Sequence, residues 1–464
     1  MTVDLALLPA TELLAGYRAR RFSPVEVVAA VLDRIDRHDG DLNAFRLVDA
    51  PAARAAARTS EARWQRGEPQ GLLDGVPTTV KDLVLTKGWS TLRGSRAISP
   101  DQPWDEDAPS VARLREAGAI LLGKTTTPEF GWKGVTDSPL TGVTRNPWDR
   151  SRTPGGSSGG AAVAAAAGMG ALHIGTDGGG SIRIPAAFTG IFGLKPTFGR
   201  VPAYPASPFG TLAHLGPMTR TVGDAALMLT VLSRPDPRDW YALPPAGIDY
   251  RDGLEDGVRG LRIAFAPTLA GAPVDPAVAA AVAAGARLLG ELGARVEPVD
   301  SPLPDSDAIF RDHWFPGAAA VLRPFGAEQR GLMDPGLIEI AGQGEQIGLA
   351  AYFAAVKLRE ALGQRMNLFH QQWDLLVTPT IPITAFAAGR ETPLGAVGER
   401  WVYWTPFTYP FNLTRQPAAT VPCGLDPNGL PIGLQIVGPL YQDALVLRAA
   451  RAFETARPFA MPAL

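Results

Sequence analysis

The sequence predicts an α/β fold in which helices cover a central sheet. Short apolar segments suited to buried strands alternate along the chain with segments suited to helices. The chain has 464 residues, 46% of them hydrophobic, which is enough to bury a large core. The strands are predicted at residues 119–122, 171–176, 260–265, 295–299, 374–378 and 433–437.

Two helices have recognisable starts in the sequence. Ser23 and Glu26 form a capping box with a proline at the first helical position, which predicts a helix that runs to Gly40. Its apolar positions repeat on one face, at Val28, Val31, Leu32 and Ile35. Thr221 and Asp224 form a weaker cap before a second apolar helix.

Two serines, Ser157 and Ser181, lie 24 residues apart in glycine-rich segments. A serine attacks an amide carbonyl only if a base takes its proton and donors stabilise the resulting oxyanion. The backbone N–H groups of Gly178, Gly179 and Gly180 precede Ser181 and predict an oxyanion hole, with no Cβ to obstruct a substrate. A helix starting just after Ser181 would add partial positive charge there. Ser181 is therefore the predicted nucleophile.

Lys81 is the predicted base. It lies in a largely apolar stretch, so burial can lower its pKa and leave the amine neutral near pH 7. Ser157 can then relay the proton between Lys81 and Ser181 and pass it to the leaving amine. Glycines on both sides of Ser157 and Ser158 allow an unusual backbone there, including a cis peptide.

These segments resemble the amidase signature family of serine amidohydrolases. The resemblance rests on Val-Lys81-Asp, Gly-Gly-Ser157-Ser-Gly-Gly and Asp177-Gly-Gly-Gly-Ser181-Ile-Arg183, and it returns around Asn412. It implies a Ser-cisSer-Lys triad of Ser181, Ser157 and Lys81. It also implies one amidase domain with a large, mixed, mostly parallel sheet covered by helices on both faces. The side chains expected to hold the triad in place are Ser158, Thr176, Asp177 and Arg183, the last two as a pair.

Within this single domain of residues 1–464, four parts are expected. A helical region covers residues 1–70, and the signature core covers 72–232. A proline-rich connector separates the core from a segment at 248–408 that is expected to shape specificity, and residues 409–464 return to the core.

Two residues depart from the usual family pattern. Gly178 stands where many members have threonine, so any contact of that threonine side chain is absent. Arg415 stands where glycine is common, and its side chain either lines the pocket or faces solvent.

The substrate pocket is less clear from the sequence. Gly131 and Trp132 are predicted beside the acyl-binding channel from an ungapped family alignment back from Ser157. Aromatic clusters at residues 313–315 and 401–409 suit either a pocket for an apolar or aryl group or packing in the core.

Other motifs do not predict a site. Residues 118–125 match the P-loop formula, but the apolar residues between the glycines predict a buried strand instead. Residues 156–160 match the nucleophile elbow of α/β-hydrolases, but a loop precedes them where that motif needs a strand.

The five histidines show no metal-binding spacing and are expected to be structural or exposed. His173 is the one nearest the segment that contains Ser181. The single cysteine, Cys423, is expected in a buried strand.

Composition narrows the expected partners. A net charge of −2 gives no indication of nucleic-acid binding, and the most apolar long segment is too short to span a bilayer. The first residues carry no pattern of a secretion signal, so a cytoplasmic location is expected. The expected partner is a small amide, carbamate or ester, with no metal and no cofactor, and a homodimer is compatible with the sequence.

The predicted function is hydrolysis of C–N bonds other than peptide bonds by a Ser181 acyl-enzyme. Aryl amides and carbamates, including urethanes, are the expected substrates, with esterase side activity. The alternative within the same fold is the glutaminase-like component of a tRNA-dependent amidotransferase, because that component shares the signature segments. A binding protein without activity is disfavoured because all three triad positions are intact.

Overall fold

A sheet of 11 strands is the centre of the structure, a computed structural model that describes residues 4–395 and 400–464. Residues 1–3, on which the expectation about a secretion signal partly rests, lie outside the described residues. The strands are β1 (Phe45–Val48), β2 (Pro77–Lys81), β3 (Ile120–Thr125), β4 (Asp137–Ser138), β5 (Gly142–Val143), β6 (Leu172–Asp177), β7 (Phe192–Lys195), β8 (His214–Thr219), β9 (Arg262–Phe265), β10 (Arg295–Pro298), β11 (Leu375–Pro379), β12 (Ala418–Leu425) and β13 (Pro431–Val437).

Helices surround this sheet and make up much of the remaining chain. The α-helices are α1 (Ala10–Arg18), α2 (Pro24–Leu42), α3 (Ala50–Arg66), α4 (Pro109–Glu116), α5 (Gly159–Ala166), α6 (Arg183–Thr189), α7 (Val222–Leu232), α8 (Pro276–Glu291), α9 (Asp307–Leu322), α10 (Ala327–Arg330), α11 (Pro335–Glu345), α12 (Leu349–Phe369), α13 (Pro410–Leu413) and α14 (Asp443–Ala456). Short 3₁₀ turns occur at Leu5–Leu7, Glu129–Gly131, Gly210–Leu212 and Trp401–Trp404.

The sheet is mixed, as predicted. Its strand order is β1-β3-β2-β6-β8-β7-β12-β13-β11-β9-β10. Parallel pairing joins β3, β2 and β6 on one side and β11, β9 and β10 on the other. The strands between these two blocks pair antiparallel, as does the edge strand β1. Parallel pairing is therefore confined to the two blocks and is less extensive than the family resemblance implied.

The individual elements follow the sequence closely. All six predicted strands are present, as β3, β6, β9, β10, β11 and β13, with ends that shift by at most three residues. The capping box at Ser23 is formed in full, and the helix that it starts continues two residues past Gly40. Thr221 accepts the backbone N–H of Asp224 at the start of α7. Cys423 is buried in β12, and the segment that matches the P-loop formula is the buried strand β3.

Two hydrophobic cores lie against the sheet and show that helices cover both faces. Strand β11 illustrates the division, because Leu375 and Val377 belong to one core and Leu376, between them, belongs to the other. The first core includes α2, α3, α7, α8 and α14. The second core includes α9, α11 and α12 and is rich in aromatic residues. No helix among the described residues is long and apolar enough to cross a membrane.

The parallel block at β2 and β6 positions the candidate site. Val80 pairs with Ile174, so Lys81 and Thr176 come close together at the carboxyl ends of adjacent strands. Ser158 directly precedes α5, and Ser181 lies in the turn between β6 and α6. The two glycine-rich segments therefore meet at the edge of the sheet where Lys81 ends its strand. This edge is where open α/β sheets commonly bind ligands.

Candidate active site

The Lys81 amine lies at the centre of three hydroxyl groups. Its Nζ is 2.8 Å from Ser157 Oγ, 2.8 Å from Ser158 Oγ and 2.9 Å from Thr176 Oγ1. The Ser158 hydroxyl donates to the Thr176 carbonyl at 3.1 Å, so it can only accept from Lys81. A neutral amine has two hydrogens and one lone pair. If it donates to Ser158 and Thr176, its lone pair is left to accept the hydrogen of Ser157.

The surroundings of Lys81 favour this neutral form. The side chain is completely buried, and burial lowers the pKa of its amine well below the ordinary value, although the charge of Asp177 opposes the shift. The expectation that this lysine is buried, made from its apolar sequence context, is correct. An amine with a lowered pKa can accept a proton near neutral pH.

Ser157 and Ser181 face the same cavity and are held together through the backbone. The N–H of Ser158 donates to the carbonyl of Ser181 at 3.1 Å, which joins the two glycine-rich segments. Both side chains are almost buried and line the cavity. The peptide bond between Gly156 and Ser157 is cis, as the family resemblance implied.

Asp177 and Arg183 form a buried ion pair that flanks the glycine-rich segment of residues 178–181. Arg183 donates from Nε and Nη2 to the two carboxylate oxygens of Asp177, both at 2.9 Å. Neither side chain is exposed. Burial alone would raise the pKa of Asp177, but the charge and hydrogen bonds of Arg183, with further help from Asn412, hold it below the ordinary value. The pairing proposed from the sequence is therefore present.

Arg183 also connects this segment to the C-terminal part of the chain. Its Nη1 donates to the carbonyl of Thr408 and to Oε1 of Gln435, each at 2.8 Å. Its Nη2 donates to Oδ1 of Asn412 at 2.6 Å. The residues around Asn412 were part of the family resemblance, but the sequence assigned no role to them. The hydrogen bond between Asn412 and Arg183 gives Asn412 a structural role at the site.

One of the three backbone N–H groups that were predicted to form the oxyanion hole, that of Gly180, already has an acceptor. The N–H of Gly180 donates to Asp177 Oδ1 at 2.7 Å, so in this arrangement it is not free to bind an oxyanion. In the described part of the chain, the N–H groups of Gly178, Gly179 and Ser181 have no hydrogen-bond acceptor. Gly178 also lines the cavity. The free donors around the predicted nucleophile are therefore those of residues 178, 179 and 181.

The three glycines are needed because other side chains pack directly against them. A Cβ at Gly178 would lie 2.8 Å from the ring of Trp314, and one at Gly179 would lie 2.8 Å from the rings of Phe310 and Trp401. A Cβ at Gly180 would lie 2.4 Å from the Thr408 hydroxyl. The glycines were expected to leave space for a substrate, whereas much of that space is filled by the protein. The Trp314 ring occupies the position that a threonine at residue 178 would need.

Comparison with known proteins gives a family match over most of the chain. The family model described as Amidase matches residues 26–447. The chain belongs to the amidase signature family.

Relatives of this amidase include enzymes of more than one kind. It is 38% identical to an acylamidase of Rhodococcus erythropolis over 98% of this chain and 97% of the relative. It is 39% identical to the A chain of the glutamyl-tRNA(Gln) amidotransferase of Anaeromyxobacter sp. (strain K), over 97% and 96% of the two proteins. It superposes on the crystal structure of a bacterial aryl acylamidase with a TM-score of 0.90 and 34% identity, over 97% and 96% of the chains. Amide hydrolysis is thus the chemistry of this amidase, and its substrate is not decided by these similarities.

The cavity beside Ser181 has a volume of about 380 Å³ and mostly apolar walls. Trp314 stacks on Phe209 with 3.9 Å between ring centroids and forms one wall with it. Ser157, Ser181, Thr176 and Asp177 are among the polar lining residues of the cavity. Other residues that line this amidase's cavity are Leu83, Phe130, Tyr204, His214, Val321 and Phe325.

The predicted pocket residues divide into two groups. Gly131 lines the cavity, and a Cβ there would lie 3.2 Å from Ser157 Oγ. Trp132 is completely buried outside the cavity wall, and its indole N–H donates to Asp334. Of the two aromatic clusters, the first contributes Trp314 to the cavity, whereas residues 401–409 pack in the second core and line a separate groove.

Sequence reasoning gave no site role to four polar residues that line the cavity, His214, Arg93, Tyr204 and Ser207. None of them belongs to a motif that could have revealed it. His173, which seemed nearest to the nucleophile segment, is buried in the sheet and hydrogen-bonded to Thr79. Arg415 is exposed, with φ of 67°, which explains why glycine suits that position. The described residues contain no cluster of ligands for a metal ion.

Removing Arg183 should destabilise the protein by leaving Asp177 as an unpaired buried charge. We expect Arg183→Met to lower the free energy of unfolding by about 3–5 kcal/mol. Urea unfolding followed by circular dichroism measures this loss. In the double variant Asp177→Asn/Arg183→Met the unpaired charge is gone, so part of the stability should return. A single variant as stable as the wild type would contradict the assigned role of the ion pair.

Proposed function

We propose that this amidase is a free-standing serine amidohydrolase that takes aryl amides and carbamates. Ser181 is the nucleophile, and Ser157 and Lys81 carry its proton. The observation that supports this most is the position of the Lys81 amine, 2.8–2.9 Å from the hydroxyls of Ser157, Ser158 and Thr176. A neutral amine that donates to Ser158 and Thr176 has its lone pair left for Ser157. This makes Ser158 and Thr176 positioning residues for the base.

In the first step, the Ser181 hydroxyl oxygen attacks the carbonyl carbon of the substrate. Its proton passes to Ser157, whose own proton passes to the neutral Lys81 amine. A tetrahedral intermediate forms, and its oxyanion accepts hydrogen bonds from the unoccupied N–H groups of residues 178, 179 and 181. Gly180 is left out of this proposed oxyanion hole because Asp177 already takes its N–H.

The intermediate then collapses and the C–N bond breaks. The leaving nitrogen takes a proton from Ser157, which is replenished from the protonated Lys81, so the base returns to its neutral form. An acyl-enzyme on Ser181 remains. Water attacks its carbonyl through the same relay and releases the acid, and every proton is returned to its starting position. None of these steps needs a metal or a cofactor.

The cavity walls support the proposed substrate class. Trp314 and Phe209 present a stacked aromatic surface near Gly178, and Phe130 and Phe325 lie in contact at 5.7 Å between ring centroids. Aromatic rings of a substrate gain about 0.5–1.5 kcal/mol from such contacts beyond the area that they bury. An aryl ester or carbamate would meet the same walls, so the proposal includes esterase and urethanase activity.

The alternative, the glutaminase-like component of a tRNA-dependent amidotransferase, fits the cavity less well. Glutamine has an ammonium group that needs an acceptor with negative charge. Among the described residues that line the cavity, Asp177 is the one carboxylate, and Arg183 already pairs with it. Release of ammonia from glutamine only with partner proteins present would favour the alternative instead.

Replacing the proposed nucleophile should remove activity completely. Ser181→Ala is expected to lose turnover of 4-nitroacetanilide and covalent labelling by a fluorophosphonate, because no oxygen is left to attack. Ser207→Ala is the matched control, since Ser207 lines the same cavity without a part in the relay. Intact-mass measurement follows the labelling. A labelled and active Ser181→Ala protein would refute the assignment.

The role of Lys81 predicts a particular pH dependence. Its amine must be neutral to act as a base, so kcat/KM should rise with pH through the lowered pKa of Lys81 and then level off. Lys81→Arg, which stays protonated, should lose roughly 100-fold to 10,000-fold in kcat/KM at every pH tested.

A second buried lysine provides the control for this pH profile. Burial lowers the pKa of Lys124 to about 7, but its side chain contacts neither serine. Lys124→Met should therefore keep the acid limb of the profile unchanged. If the limb disappears in Lys124→Met instead, Lys81 is not the group that titrates.

The aromatic wall predicts substrate preference. The test panel contains 4-nitroanilides, aryl carbamates, aryl esters and glutamine. The enzyme should cleave the first three classes of compound and should not cleave glutamine. Trp314→Ala should raise KM for the aryl substrates roughly 2-fold to 10-fold, while Trp240→Ala, an exposed tryptophan outside the cavity, should not. Failure of all anilides and carbamates together with turnover of glutamine would overturn the proposed substrate class.

A further inference from the structure

Arg93 stands between the active-site cavity and a second groove. It lines the cavity that contains Ser157 and Ser181, and it also lines a groove of about 480 Å³, here named the outer groove. Phe325 also lines both the active-site cavity and the outer groove. The outer groove is further lined by Ala97, Ile98, Gln102, Trp104 and Gln329. A substrate longer than the cavity would pass Arg93 on its way into this groove.

The backbone of Arg93 is fixed close to the proposed catalytic residues. Its N–H donates to the carbonyl of Asp82, directly after Lys81, and its carbonyl accepts from the N–H of Phe130 at 2.7 Å. Gly131, the next residue, packs against Ser157. Arg93 also has a φ of 54°, which an arginine rarely adopts and which costs about 1 kcal/mol or more. The surrounding hydrogen bonds therefore hold this side chain at the cavity wall in a conformation that is not locally favoured.

The guanidinium of Arg93 has no hydrogen-bonded partner among the described residues, although the charge of Asp82 acts on it. It makes no side-chain hydrogen bond and no ion pair within 4.0 Å, although it is only partly exposed. Asp82, the carboxylate whose charge acts on Arg93, is hydrogen-bonded to Arg46 at 3.0 Å. Two carboxylates line the outer groove: Glu106 pairs with Arg238 at 2.9 Å, and Asp105 is the other.

Around Asp82, the positively charged groups outnumber the one buried carboxylate. Asp82 is one buried carboxylate facing two guanidinium groups, those of Arg46 and Arg93, so one positive charge is left over. Lys124, buried beside them, adds to this excess whenever it is protonated. Its acceptors are neutral, the carbonyl of Val84 and the hydroxyls of Thr86 and Thr91. A half-buried cation without a partner is costly to keep unless a ligand uses it.

We propose that Arg93 is an anion-binding residue for the substrate, and that the preferred substrates carry a carboxylate at the end remote from the bond that is cleaved. The guanidinium can hold a carboxylate through two parallel hydrogen bonds. The chemical class is an ω-carboxylated amide or carbamate, with its scissile carbonyl at Ser181 and its carboxylate at Arg93. Glutamine also carries a carboxylate remote from its amide, but its ammonium group lacks a free acceptor among the described residues that line the cavity, so it is expected to be a poor substrate. The inference rests on the proposed amidohydrolase function and deepens it.

The test compares matched anilides that differ only in charge. Mono-4-nitroanilides of dicarboxylic acids with four to ten carbons are compared with the 4-nitroanilides of the monocarboxylic acids of equal length. At one or more lengths, the wild type should turn over the carboxylated anilide with a KM at least roughly 10-fold lower. Arg93→Met should raise that KM by the same factor and should raise the KM of the uncharged anilide of equal length by much less, so that the preference for the carboxylated anilide is lost.

Two further variants separate a binding role from a structural one. Arg93→Lys keeps the positive charge and should recover part of the preference, because an ammonium can pair with a carboxylate through one hydrogen bond. Arg96→Met, at an exposed arginine nearby, should leave the preference intact. An Arg93→Met protein that loses activity equally on charged and uncharged anilides would overturn the proposal, as would a wild type that shows no preference at any length.

A binding measurement keeps this proposal distinguishable from the proposed function. Isothermal titration of the same carboxylated anilides into Ser181→Ala and into Ser181→Ala/Arg93→Met needs no turnover. Weaker binding by roughly 10-fold in the double variant supports the anion site even if the hydrolytic assignment fails. Equal binding by the two proteins refutes the anion site even if the anilides are hydrolysed.

Discussion

The ion pair between Asp177 and Arg183 is the contact on which the rest of the site depends. It is fully buried, and each partner has further hydrogen bonds that make its burial tolerable. Asp177 shapes the nucleophile segment by taking the N–H of Gly180, and Arg183 ties that segment to Asn412 and to strand β13 through Gln435. Parts of the chain far apart in sequence are thus brought to one point by a single pair of charges.

A second constraint comes from the way the sheet places Lys81. Because β2 and β6 are parallel neighbours, the lysine that ends one strand meets Thr176 at the end of the other. Both glycine-rich segments begin a helix at the same edge, which brings Ser157 and Ser158 to the amine. The low pKa of Lys81 follows from this crowded, dry position, and the three hydroxyls decide the direction in which its lone pair can point.

The sequence was a good guide where chemistry depends on a short motif and a poor one where it depends on packing. Lys81, Ser157 and Ser181 could be predicted as one candidate site because three motifs occur in order along the chain, and the structure brings Lys81 to Ser157 and both serines to one cavity. The occupation of the Gly180 N–H could not, since it results from the rotamer of Asp177. Arg93 has no motif at all and reaches the cavity through a left-handed backbone turn. The strands were found from apolar runs, whereas the extent of antiparallel pairing depends on chain reversals that such runs do not encode.

The close approach of Trp314 to Gly178 also limits how this family can vary. A Cβ at residue 178 and a full indole at residue 314 cannot occupy the same space, because they would lie 2.8 Å apart. A side chain at residue 178 therefore requires the Trp314 ring to move or to be replaced by a smaller group. The presence of this ring and the glycine at residue 178 are in this way coupled in the structure. The aromatic wall is in this sense an inherited restriction on which relatives this chain can still come to resemble.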